Sequence, residues 1–228
     1  MKKQILCLYT ITLLLLAGCS SSDEQMSGEL ELTVGLEQPF STTVSTRAID
    51  ADLQVEVWNE DGSALVRQFT PGQSPNRITL EAGNYLLKAF TTNYQTNYSN
   101  SELGEAKFYK ELPFTIEADM VNRISCTVPM ANTAVTLTLP EGFKSWFTSY
   151  SFSVKQSSTS RNVDMAEGET VYFDCTDNDR ADLIYTLTTI NTDNEPNSDS
   201  SILIASAGIL YHISYSWETK SLMWKGYE

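Results

Sequence analysis

His212 is the only histidine in 228 residues, and it limits what chemistry the chain can carry. A Ser-His-Asp relay would have to use it, and no Gly-x-Ser-x-Gly elbow accompanies it. No HExxH, paired CxxC or phosphate loop occurs, and zinc lacks its usual nitrogen and sulfur ligands. Ile209, Tyr211, Ile213, Tyr215 and Trp217 alternate to one side around His212, so the imidazole reads as a solvent-side strand residue. Paired carboxylates could serve glycoside hydrolysis, but 29 acids make such pairs uninformative. The segment DCTDNDRAD (Asp174 to Asp182) reads first as a polar hairpin loop. Its Asp177, Asn178, Asp179 and Asp182 could also offer hard oxygens to calcium, without the glycine and distal glutamate of an EF-hand. Sugar binding needs flat rings beside amides and carboxylates. TTNYQTNYSN supplies Tyr94 and Tyr98, KSWFTSY supplies Trp146 and Phe147, and Trp58 points away from its strand's apolar side. The competing reading packs these rings at a domain junction or over a loop.

One cysteine has a chemistry set by its neighbours. Lys2 and Lys3 precede an apolar run of twelve residues, Ile5 to Leu16, and then Leu16-Ala17-Gly18-Cys19. The run is shorter than the ~20 residues of a membrane span, so it reads as a secretory signal over residues 1–18. The terminal cysteine makes it resemble a bacterial lipoprotein signal. That resemblance implies a thioether from Cys19 to diacylglycerol, cleavage after Gly18, and an outer-membrane anchor. An ordinary signal with a chance cysteine is the alternative. No cofactor other than this lipid is expected. Residues 19–27 read as a flexible tether. Asp23 and Glu24 resemble the acidic export signals of Bacteroidetes surface lipoproteins, which implies display on the cell surface.

Removing residues 1–18 removes two of 15 Lys+Arg and none of 29 Asp+Glu, so the mature net charge is −16. Nucleic acid and bare anionic membrane are therefore poor partners. Cys126 and Cys175 sit on alternating patterns in different halves of the chain and are expected to be free and buried.

The elements that must position these residues are strands. Leu30, Leu32, Val34 and Leu36 alternate with polar residues, as do Leu53, Val55 and Val57 before the turn Asn59-Glu60-Asp61-Gly62. Ser101 to Leu112 could hold a helical turn or two. The pattern then repeats. Val135, Leu137 and Leu139 echo the first strand. LIYTLTTIN (Leu183 to Asn191) echoes YLLKAFTTN (Tyr85 to Asn93), and HISYSW (His212 to Trp217) echoes RISCTV (Arg123 to Val128). The spacing drifts from 105 to 89 residues, as differing loops would produce. The expected fold is all-β: two tandem antiparallel β-sandwiches at 28–130 and 131–217, then a tail at 218–228.

The order of GELELTV (Gly28 to Val34), STRA (Ser45 to Ala48), LQVEVWNEDG (Leu53 to Gly62), ITLEAGNYLLKAF (Ile78 to Phe90), FTIEADM (Phe114 to Met120), CTVPMANTAVTLTL (Cys126 to Leu139) and YSFSV (Tyr150 to Val154) resembles the Bacteroidales lipoprotein family called domain of unknown function 4493. The layout is similar to the fimbrillins. That similarity implies transthyretin-like or Greek-key sandwiches and a non-catalytic role in adhesion or fimbrial assembly, with fimbrial subunits as partners. It also implies a possible protease cut between Arg47 and Ala48, followed by donor-strand exchange. The C-terminal tail alternates only at Leu222 and Trp224, fewer positions than a donor strand needs, and Arg47 also reads as a plain loop residue. The alternative role is a surface lipoprotein that binds host or dietary glycans.

Overall fold

The computed structural model describes residues 26–37, 53–69, 77–176 and 178–227. Cys19, Arg47, Ala48 and Asp177 lie outside the described residues. The first half contains β1 (Ser27–Leu36), β2 (Leu53–Asn59), β3 (Leu65–Phe69), β4 (Ile78–Glu81), β5 (Gly83–Thr91), β6 (Tyr109–Ile116) and β7 (Val121–Val128). The second half contains β8 (Asn132–Thr138), the single-turn helix α1 (Phe143–Trp146), β9 (Phe147–Gln156), β10 (Asn162–Asp164), β11 (Thr170–Asp174), β12 (Arg180–Asn191), β13 (Pro196–Ser206), β14 (Leu210–Ser216) and β15 (Ser221–Tyr227).

Among the described residues four sheets form, with orders β4-β1-β7, β3-β2-β5-β6, β11-β8-β14-β15 and β10-β9-β12-β13. Adding seven to each strand number in the first two sheets generates the last two, apart from β15. The repeat in the sequence is thus a repeat in topology. Leu30, Leu32 and Val34 of one sheet meet Val55, Val57, Leu87 and Ala89 of its partner in a first core. Val135, Leu137 and Ile213 meet Phe152, Leu183 and Leu203 in a second. Each such side chain contributes about 1.5–3 kcal/mol by leaving water. The ion pairs Arg77–Glu29 and Arg123–Glu31 along β1 are at least 40 % exposed and contribute ~0–1 kcal/mol each. Apolar alternation therefore sets the register of β1.

Several expectations need correction. The sheets are not wholly antiparallel: β1 pairs β7, and β8 pairs β14, in parallel. Residues 218–228 are not a separate tail. Ser221–Tyr227 forms β15, antiparallel to β14, with Leu222 buried in the second core. No helix forms in Ser101 to Leu112, which is irregular up to β6. Its polar and glycine residues dock across the junction instead. The helical turn that does form is α1, too short to show a helical period. Cys126 and Cys175 are free. Cys126 lies in the first core and Cys175 packs, partly buried, against the second. Burial raises both thiols above their usual range, Cys175 to about 12 with the help of Asp179 and Asp174, so neither is a ready nucleophile.

Gly28 shows how tightly β1 is seated. A Cβ there would lie 2.2 Å from the Glu117 carbonyl oxygen and 2.9 Å from Ile116. Backbone cannot yield as a flexible side chain would. Gly28→Ala is expected to destabilise the chain by about 1–3 kcal/mol, read as a lower urea midpoint; an unchanged midpoint would mean that β1 sits more loosely than described.

Candidate binding surfaces

Strand direction gives the molecule two ends and a waist. β7 runs to Val128, and β8 starts at Asn132, with three residues between them. β1 starts at Ser27, far from this waist, and reaches it at Leu36 opposite Val128. β8 leads away from the waist to α1 and the start of β9. The start of β1 and the α1 tip therefore each lie at the end of their own sandwich away from the waist.

The tip is aromatic. Phe143 is buried and touches Phe147, Tyr150, Tyr215 and Trp217, with ring centroids 4.6–6.0 Å apart. Phe147 and Trp217 are parallel at 6.2 Å. Trp146 projects from α1 and is 66 % exposed. The turn after β12 closes beside it, where Thr192 N–H donates to the Trp146 carbonyl.

The waist is a polar clamp. The loop between β5 and β6 reaches onto the second sandwich. Tyr172 N–H donates to Leu103, and the Asn162 N–H donates to the Asn100 side chain. Arg161 donates to the carbonyls of Ser99, Glu102 and Tyr172 and lies over the Phe173 ring. Lys107, its side chain only 4 % exposed, meets Asp174 at 2.6 Å and donates to the Thr96 carbonyl. Tyr98 lies beneath that ammonium, 5.3 Å from ring centroid to Nζ. Asn97, Tyr98, Asn100, Arg161 and Asp174 line a hollow of about 450 Å³. The polar groups of Arg161 and Lys107 are already committed to this contact, so Tyr98 reads as part of the junction.

A third surface was only half visible in the sequence. On the outer face of the β3-β2-β5-β6 sheet, cross-strand register aligns three rungs: Gln54–Phe90–Tyr109, Glu56–Lys88–Glu111 and Trp58–Leu86–Pro113. Tyr94, from the loop after β5, stacks on Tyr109 at 4.6 Å with the planes 9° apart. Glu56 is buried and accepts hydrogen bonds from Gln54 Nε2 at 2.6 Å and Trp58 Nε1 at 2.8 Å. Lys88 pairs with Glu111 at 3.1 Å and lies 5.0 Å from the centroid of Trp58. Tyr109 donates to Glu111 at 2.5 Å. Burial, then Glu111, drives the Tyr109 phenol far above its usual range, and the bond from Tyr109 is the main cause that lowers Glu111. The pair is thus a neutral donor and an ionised acceptor at neutral pH. Tyr94 and Trp58 were singled out from sequence. Phe90, Tyr109, Glu56, Lys88 and Glu111 were not, because their adjacency exists only through register.

The structure does not gather the sequence candidates into one site. Tyr94 and Tyr98 lie at the waist, whereas Trp146 and Phe147 lie at the tip, a full β9 length away, about 30 Å. Asn178 and Asp179 occupy a left-handed turn, with φ 73° and 55°. Arg180 shares a hollow with Asn178 and Asp182, and its positive charge opposes a cation there. Among the described residues, no three His, Cys, Asp or Glu side chains converge as a metal group. His212 lies outward on β14 against Tyr227, at 4.7 Å.

Several solved structures align with this chain at low similarity. A candidate cell adhesion protein from Bacteroides uniformis is 10 % identical, with 90 % of this chain and 97 % of that one covered at a TM-score of 0.48. A second such protein, from Bacteroides ovatus, is 13 % identical, with coverages of 87 % and 95 % and a TM-score of 0.46. A candidate polysaccharide binding protein from Bacteroides thetaiotaomicron is 8 % identical, with coverages of 83 % and 91 % and a TM-score of 0.47. Likeness at this level says nothing of what this chain binds. No curated protein matches the sequence. The family profile described as "Domain of unknown function (DUF4493)" matches residues 26–223, nearly the whole described chain, and the protein belongs to that family.

Proposed function

We propose that the protein is a non-catalytic adhesion protein, held to the outer membrane by lipid on Cys19 and displayed at the cell surface. The observation that carries this reading is that each sandwich directs one end away from the waist. Ser27, next to the proposed tether, lies at the far end of the first sandwich, and the exposed Trp146 with the Phe147–Trp217 stack lies at the far end of the second. Rings held at the far end of a clamped pair of sandwiches are well placed for contact with a partner surface, since aromatic side chains dominate contact energies. A role as a fimbrial subunit or anchor is the same reading with a different partner, and it would involve the Arg47–Ala48 bond.

A membrane-impermeant amine reagent is expected to label the protein on intact cells. Mass spectrometry is expected to find a mature terminus at acylated Cys19. Absence of label would refute display, and a sole terminus at Ala48 would replace the anchored form by a processed subunit. Trp146→Ala should reduce cell attachment at unchanged protein level. The second reading, a surface glycan-binding lipoprotein, is favoured by the aromatic face beside the waist.

A further inference from the structure

We infer that the outer face of the β3-β2-β5-β6 sheet binds a neutral oligosaccharide. Single outward rings are ordinary on protein surfaces, but this face combines three features that solvation alone does not call for. First, rings occupy both flanking rungs: Phe90, Tyr109 and the stacked Tyr94 on one, and Trp58 on the other. The rungs are four residues apart along β2, about 13 Å, room for a short run of sugar rings. Second, the rung between them carries donors and acceptors together. Lys88 offers N–H groups, while Glu56 and Glu111 offer lone pairs beyond those they already use. A sugar hydroxyl both donates and accepts, so it matches such a mixed row. Third, the row is fixed in advance by the bonds of Gln54 and Trp58 to Glu56, and of Lys88 and Tyr109 to Glu111. Groups held in place lose little freedom when a ligand arrives.

The floor is a hollow of about 520 Å³, and the Tyr94–Tyr109 stack also lines a neighbouring one of about 850 Å³. Charge selects the ligand class. Glu56 and Glu111 face one lysine, on a strongly acidic chain, so an anionic polymer is repelled. A peptide adding as a strand would take a sheet edge, not this face. The sugar face is independent of the Cys19 anchor and of the tip, so it can stand or fall apart from the proposed display.

The test is native electrophoresis of the full chain, purified in detergent, through gels containing mannan, xylan, a β-glucan or polygalacturonate. At least one neutral polymer is expected to retard it, and polygalacturonate is not. Tyr94→Ala and the exposed-site change Glu111→Gln should each weaken retardation roughly tenfold. Ile202→Ser, on the second sandwich, should leave it unchanged. The inference would be overturned by no retardation by any neutral polymer, by equal retardation by polygalacturonate, or by retardation that survives both face substitutions. Binding abolished by Trp146→Ala but not by Tyr94→Ala would move sugar recognition to the tip and equally reject this face. Because Glu111 lies on the surface, its variant keeps the test valid if Tyr94→Ala disturbs the loop.

Discussion

Asp174→Ala should lower the stability of the chain by about 3 kcal/mol, whereas Lys107→Met should cost no more than about 1 kcal/mol. The asymmetry follows from burial. The Lys107 side chain is 4 % exposed and that of Asp174 is 48 % exposed. Removing the carboxylate strands an ammonium in the waist with only the Thr96 carbonyl and the face of Tyr98 for company. Removing the ammonium leaves a carboxylate that water already reaches. The figure is at the low end for breaking a buried pair because half-exposed Asp174 is screened. For a chain of this length it corresponds to a fall in melting temperature of roughly 6–12 °C. Parallel thermal melts of the two variants would check it. Equal losses would mean that the pair is not the buried contact described. The loss should fall on the coupling of the two sandwiches. Hydrogen exchange should rise first in the loop between β5 and β6.

Phe143→Ala should cost about 3–5 kcal/mol, the range for emptying a large aromatic site in a packed core. Phe143 is 1 % exposed, and four other rings close around it. Little is free to collapse into the vacancy, because Tyr215 and Phe147 are set by their strands. Trp146, three residues on and 66 % exposed, should change stability by no more than ~0.5 kcal/mol when cut to alanine. The two variants separate anchor from contact. Phe143→Ala should lose the near-ultraviolet signal of the tip and fast-exchange protection in the second core, leaving the first core protected. Similar losses for both variants would show that the tip is not organised around Phe143.

The strands were legible because alternation is a local property. Leu30-Leu32-Val34 and Val135-Leu137-Leu139 declare their buried faces without reference to any neighbour. The doubled plan was legible for the same reason, and β12 and β14 do occupy the places of β5 and β7. Parallel pairing of β1 with β7 was not legible, since a period of two carries no direction. β15 was missed because Leu222 alone turns inward, while Met223 and Trp224 stay exposed at a sheet edge. The aromatic outer face of the β3-β2-β5-β6 sheet was half legible. Trp58 betrays itself by pointing off the apolar side. Tyr109 lies in a stretch whose composition permitted a helix, and it becomes Tyr94's neighbour only when a loop folds back across the waist.

The parallel pairing has a mechanical consequence. β1 begins at the end that would carry the proposed tether, and β7 beside it leads into the second sandwich. A pull between the tether and the tip would draw these two strands in opposite senses along their shared ladder. Eight aligned residue pairs, Glu29↔Val121 through Leu36↔Val128, would resist sliding together, where a hairpin pulled from one end would give way a rung at a time. The first sandwich is thus braced against a pull applied between the start of β1 and the second sandwich, the load that the proposed attachment would impose.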